Sequence, residues 1–140
     1  MKNNIKILYL FHNDWDWIKQ RSHFFAEGFH SSGAFVHVFY KYSLKRKNLV
    51  ENISSVKRYA LPLIPFGFRT IYFLKIIDQI IFSLLLMILD LIYRYDLIII
   101  THPLLFKYTS MTKSKVIYDC HDDNEEFYKD GALKTLISKE

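Results

Sequence analysis

Residues 5–11, Ile-Lys-Ile-Leu-Tyr-Leu-Phe, are apolar at every position but Lys6, and that continuity limits the fold more than any other feature. A strand with one wet face alternates apolar and polar residues. A strand covered by helices on both faces does not, and such strands belong to parallel sheets. The run is too short to span a bilayer and no small-residue cleavage site follows it, so it reads as a first buried strand rather than a targeting segment.

The rest of the chain alternates accordingly. Residues 17–32 read as a helix on Ile18, Phe24, Phe25 and Phe29, stopped by Ser31-Ser-Gly33. Ala34 to Tyr40 is a second strand, residues 41–54 a loop or irregular turn, and Ser55 to Leu61 a third strand. Pro62, Pro65 and Gly67 break the chain before the longest predicted helix, Phe68 to Tyr95. Asp96 to Thr101 is a fourth strand, His102-Pro103 a turn, and Lys115 to Tyr118 a fifth strand. Asp122 or Asp123 caps a last short helix through Tyr128. Strand–helix alternation over 140 residues predicts one α/β domain, a Rossmann-like doubly wound parallel sheet in the order 3-2-1-4-5.

Charge is unevenly placed. Lys41, Lys45, Arg46, Lys47, Lys57 and Arg58 cluster against Glu51 alone, while residues 119–130 carry the carboxylates of Asp119, Asp122, Asp123, Glu125, Glu126 and Asp130 against Lys129. Basic residues without interleaved stacking aromatics suit anionic lipid or phosphate better than nucleic acid; a solvated loop is the plainer reading. Residues 71–92 are long and apolar enough to cross a membrane, but Lys75, Asp78 and Asp90 make insertion costly. Lys75, Gln79, Ser83, Asp90 and Arg94 form one polar stripe, and the remaining apolar surface needs a partner beyond one sheet face: a second lobe or a membrane surface. The one cysteine, Cys120, rules out an internal disulfide and fits a reducing cytoplasm.

Two segments carry chemistry: His12-Asn-Asp-Trp-Asp-Trp-Ile-Lys-Gln-Arg21 after the first strand and Tyr118-Asp-Cys-His-Asp-Asp123 after the fifth. Both fall at carboxyl ends of parallel strands, where α/β sheets bind ligands. The first turn lacks the glycines that let a backbone approach a pyrophosphate, which disfavours a dinucleotide here. Indoles beside carboxylates suit a sugar, because apolar sugar faces stack on aromatic rings; the alternative is that Trp15 and Trp17 staple the first helix. The Asp/His cluster at 119–123 suits a general base, a hydroxyl acceptor, a divalent-metal site or a helix cap, and its neighbouring carboxylates raise one another's pKa.

The first segment, continued as Gln20-Arg-x-His-x-x-Ala-x-Gly28, and the second, Tyr118-Asp-x-x-Asp-Asp123 followed by Glu126 and Phe127, resemble the amino-terminal lobe of GT-B glycosyltransferases. They are most similar to the branch that includes teichuronic-acid and other bacterial surface-polysaccharide transferases; Ser22 stands where that branch usually has proline. The resemblance implies transfer of a sugar from a nucleotide-sugar donor to a saccharide or lipid-linked saccharide acceptor at the cytoplasmic membrane face, with no metal and no cofactor. It implies His12, Asp14, Trp15, Trp17, Gln20 and Arg21 at the acceptor, and His121, Asp122 and Asp123 at the catalytic cleft, with His121 foremost. Such an enzyme also has a carboxyl donor lobe. The 140 residues leave no room for it, so the expectation is an incomplete lobe, inactive alone, with a separate donor-lobe subunit as a partner. A non-catalytic acceptor-binding or docking subunit, and a metal-dependent hydrolase built on the Asp/His cluster, are the competing readings.

Overall fold

The structure, a computed structural model, describes residues 4–16, 18–42, 55–62 and 72–120. Five parallel strands, β1 (Lys6–Phe11), β2 (Phe35–Tyr42), β3 (Lys57–Pro62), β4 (Leu97–Ile100) and β5 (Lys115–Tyr118), make one sheet in the order β3-β2-β1-β4-β5. Two helices, α1 (Arg21–Ser31) and α2 (Tyr72–Tyr93), connect them, and a 3₁₀ helix, Pro103–Tyr108, follows β4.

The uninterrupted apolarity of β1 is explained by its central place. Ile7, Tyr9 and Phe11 face a core with Trp15 and Ala26 on the α1 side, while Leu8 and Leu10 face a second core with Phe82 and Leu86 of α2. Helices on both faces make the sheet doubly wound, as expected for a Rossmann-like lobe.

Three details differ from the sequence expectation. First, α1 starts at Arg21, four residues later than expected, and it buries Ser22, His23 and Ala26; Phe24, Phe25 and Phe29 are exposed. Small residues on the inner face let the helix lie close to the sheet, which turns the phenylalanines outward. Second, the segment after β4 is more than a turn: the His102 Nδ1 accepts from the Leu104 amide at 3.1 Å and caps the 3₁₀ helix, with Pro103 at its start. Third, within the expected polar stripe of α2, Ser83 and Asp90 are buried. Asp90 accepts hydrogen bonds from the Lys113 and Ser114 amides at 2.7 and 3.3 Å and from the Ser114 hydroxyl, pinning α2 to the start of β5. The expected short helix through Tyr128 lies outside the described residues.

α2 is long and apolar enough to cross a membrane by length and composition, with only 22% of its most apolar window buried. Phe73, Ile76, Ile80, Leu84, Ile88 and Leu91, at spacings of three and four, are all exposed. Both of its carboxylates, however, are engaged by the lobe itself, Asp90 as above and Asp78 by Lys41.

Candidate functional site

Because the five described strands are all parallel, the residues after β1, β2, β4 and β5 share one edge. The ladder extends one residue past the strands there, with the Thr101 amide donating to Leu10 O at 3.1 Å and the Asp119 amide to Ile100 O at 2.9 Å. Backbone that continues a ladder is rigid, so His12, Thr101 and Asp119 leave the sheet in fixed directions. The two sequence segments meet here: Arg21 Nη2 donates to Asp119 Oδ1, and the Tyr9 hydroxyl donates to Asp119 Oδ2 at 2.8 Å. Burial, followed by the hydrogen bond to Asp119, pushes the Tyr9 phenol far above its ordinary pKa and keeps it a proton donor.

His12 is held at both ring nitrogens. Its Nδ1 lies 2.8 Å from Thr101 Oγ1, which also accepts the His12 amide at 3.1 Å, and Asn13 Nδ2 donates to its Nε2 at 2.8 Å. The His102 ring lies beside it, centroids 5.1 Å apart.

The loop between β1 and α1 is built differently from what a sugar platform requires. Trp15, expected to offer a stacking face, is fully buried, packed on Phe11 and His23 with centroids at 4.8 and 4.2 Å. The reason is His23: its Nε2 bonds Trp15 O at 2.9 Å and its Nδ1 accepts the Gln20 amide at 3.0 Å, so one ring caps α1 and pulls the loop inward. Desolvation lowers the His23 pKa, against the opposing pull of the Trp15 carbonyl. Asp14 is also buried, and its Oδ1 accepts the Asp16 amide at 3.2 Å in a local turn. Gln20 serves as the residue capping α1. Of the six residues expected at the acceptor, His12 and Arg21 are exposed at the edge, Asp14 and Trp15 are structural, Gln20 is partly buried and Trp17 lies outside the described residues, as do His121, Asp122 and Asp123.

Beside His12 opens a cleft of about 370 Å³, walled by the end of β2, the first half of α2 and the 3₁₀ helix. His12 and His102 line one part, Lys41 and Lys107 another, and Phe82 and Tyr108 are among its apolar walls. Lys41 pairs with Asp78 and lies 4.6 Å from the Phe82 ring centroid and 5.0 Å from that of Tyr108. Lys107 approaches the same Tyr108 ring at 4.9 Å. Desolvation, then repulsion from Lys41, lowers the Lys107 pKa, with Asp78 opposing. Burial, and next to it Asp78, pushes Tyr108 up to about 12. Among the described residues the cleft thus holds two ammonium groups against one carboxylate, a field that attracts anions.

Lys41, Lys107 and His102 were not singled out from the sequence as site residues. Lys41 has a signal in the basic run that it opens, at the carboxyl end of β2; His102 and Lys107 have only their place in the segment that follows β4. Among the described residues no group of three His, Cys, Asp or Glu side chains is arranged to hold a metal ion, and Cys120 is exposed. Compared with known proteins, the chain matches no family model, no curated protein and no solved structure.

Proposed function

We propose that this lobe is the acceptor side of a GT-B glycosyltransferase of bacterial surface-polysaccharide synthesis, receiving a saccharide or lipid-linked saccharide whose hydroxyl attacks a nucleotide sugar held by a second lobe. The observation that carries this reading is the Arg21–Asp119 contact, which brings both motif-bearing segments to one carboxyl edge of the sheet. In it, Arg21 and His12 contact the acceptor. His121, Asp122 and Asp123, which begin two residues after Asp119 in the chain, act at the reacting hydroxyl as proton acceptor or transition-state contact. The nucleotide sugar is a substrate and no cofactor is needed. The enzyme works at the cytoplasmic face of the membrane, with α2 against the lipid.

The test is titration of the chain with a nucleotide sugar and, separately, with a polyprenyl-diphosphate-linked saccharide in micelles. Saturable binding of the saccharide that weakens in Arg21→Ala, with no binding of the nucleotide sugar, supports the reading. Tight nucleotide-sugar binding by these residues overturns it.

A further inference from the structure

Lys41 and Lys107 approach one tyrosine ring in a cleft whose α2 wall carries an exposed apolar stripe on its outward side. Each ammonium lies within 5.0 Å of the Tyr108 centroid, and Asp78, the one carboxylate lining the cleft among the described residues, is engaged by Lys41. Lys41 and Lys107, both over the Tyr108 ring, repel each other, and a bound anion would relieve that repulsion. Asp78 and Phe82 form the α2 wall; the neighbouring residues Ile76, Ile80, Ile81 and Leu84 are exposed. The anion site lies against the inner face of α2 and the exposed apolar residues lie on its outer face, so the helix can rest at a bilayer surface with its polar side toward lipid phosphates.

We infer that the cleft between β2, α2 and the 3₁₀ helix is a subsite for the phosphate of a membrane lipid, with Lys107 and Lys41 taking the phosphate and the outward stripe of α2 resting in the bilayer surface. This deepens the acceptor reading by naming a lipid phosphate as the group the lobe grips. Lipid binding itself requires no nucleotide and no saccharide.

The probes are vesicles of phosphatidylcholine alone, the same vesicles with phosphatidic acid, and free inorganic phosphate. The chain is expected to float with the phosphatidic-acid vesicles and not with phosphatidylcholine alone. Lys107→Ala lowers the association about fivefold or more, and Lys107→Arg restores most of it. Ile80→Ser with Leu84→Ser, both at exposed positions, weakens vesicle binding. Lys107 is exposed, so its variants keep the native circular-dichroism spectrum. Equal flotation of wild type and Lys107→Ala would remove the cleft from lipid binding, and equal binding to uncharged vesicles would remove the phosphate. Saturable binding of inorganic phosphate without vesicle binding would overturn the lipid source. Nucleotide-sugar binding by the lobe would sink the acceptor reading and leave the lipid result standing.

Discussion

The Tyr9 hydroxyl reaches Asp119 at 2.8 Å across 110 residues of chain, from the middle of the first strand to the end of the last one described. Arg21 closes on the other oxygen of the same carboxylate. One acidic side chain therefore couples the central strand, the start of α1 and the exit of β5. The two partners contribute unequally: the Tyr9 phenol is buried, whereas the Arg21 side chain is 47% exposed.

Tyr9→Phe should cost about 1 kcal/mol in urea unfolding, the net worth of a hydrogen bond at a buried hydroxyl. Arg21→Ala should cost less than about 1 kcal/mol, because an exposed ion pair is screened. If Arg21→Ala proved the more destabilising of the two, the pair would be a structural clamp and not an edge poised for a ligand.

His23→Ala should destabilise the lobe by about 3 kcal/mol, since it strands the Gln20 amide and the Trp15 carbonyl together and opens space beside a buried indole. Tryptophan fluorescence reports the outcome: an emission shifted to the red in the folded variant means that Trp15 has left the core. An unmoved spectrum with unchanged stability would contradict the capping role.

His37 sets a pH dependence. It is buried among the rings of Phe35, Tyr59, Tyr93 and Tyr95, with its Nδ1 2.6 Å from the Tyr95 hydroxyl. Desolvation, with Lys57 adding repulsion, lowers its pKa from 6.5 to about 4. The unfolded chain takes up a proton near pH 6.5 that the folded one refuses until about 4, so the stability contributed by neutral His37 is present above that window and lost as pH falls through it. The loss amounts to about 3 kcal/mol at most. Urea midpoints between pH 7 and 4.5 should fall, and His37→Gln should flatten that part of the slope; an equal slope in both proteins would refute the assignment.

Two backbone positions predict opposite signs. Arg94, just after α2, has a φ of 51°, and Gly33, after α1, has a φ of 91°. An L side chain is strained in this region by about 1 kcal/mol. Arg94→Gly should therefore raise the thermal midpoint and Gly33→Ala lower it, the latter through backbone strain alone because no atom lies within 4 Å of the added methyl. A stabilised Gly33→Ala would contradict the assigned backbone.

The fold was legible where local pattern and burial coincide. The apolar runs of β1 and β4 are strands buried in the sheet, and the edge strand β5, with Lys115 and Ile117 exposed, has the predicted bounds, Lys115–Tyr118. The strand order 3-2-1-4-5 also agrees. The face of α1 was misread because Phe24, Phe25 and Phe29 have a helical spacing that promises burial, whereas close packing selected Ser22, His23 and Ala26. For Trp15 the sequence leaves a ligand platform and a staple of the first helix both open, and the structure has the packed arrangement, because His23, distant from it in sequence, reaches back to its carbonyl. The cleft was illegible for a related reason. Lys41 reads as the first residue of a basic run that suits anionic lipid or phosphate or is a solvated loop, and Lys107 sits in a short helix that capping by His102 creates; only the tertiary fold brings both to Tyr108.

The central position of β1 bears on the order in which the lobe assembles on the ribosome. Its neighbour on one side, β2, follows soon after, but its other neighbour, β4, pairs Leu97 with Ile7. The first strand to emerge therefore keeps one edge of backbone N–H and C=O groups without its strand partner until most of the described chain has been synthesised. Such late closure slows folding and exposes a sticky edge, which makes the nascent lobe a natural client for chaperones that shield hydrophobic strands.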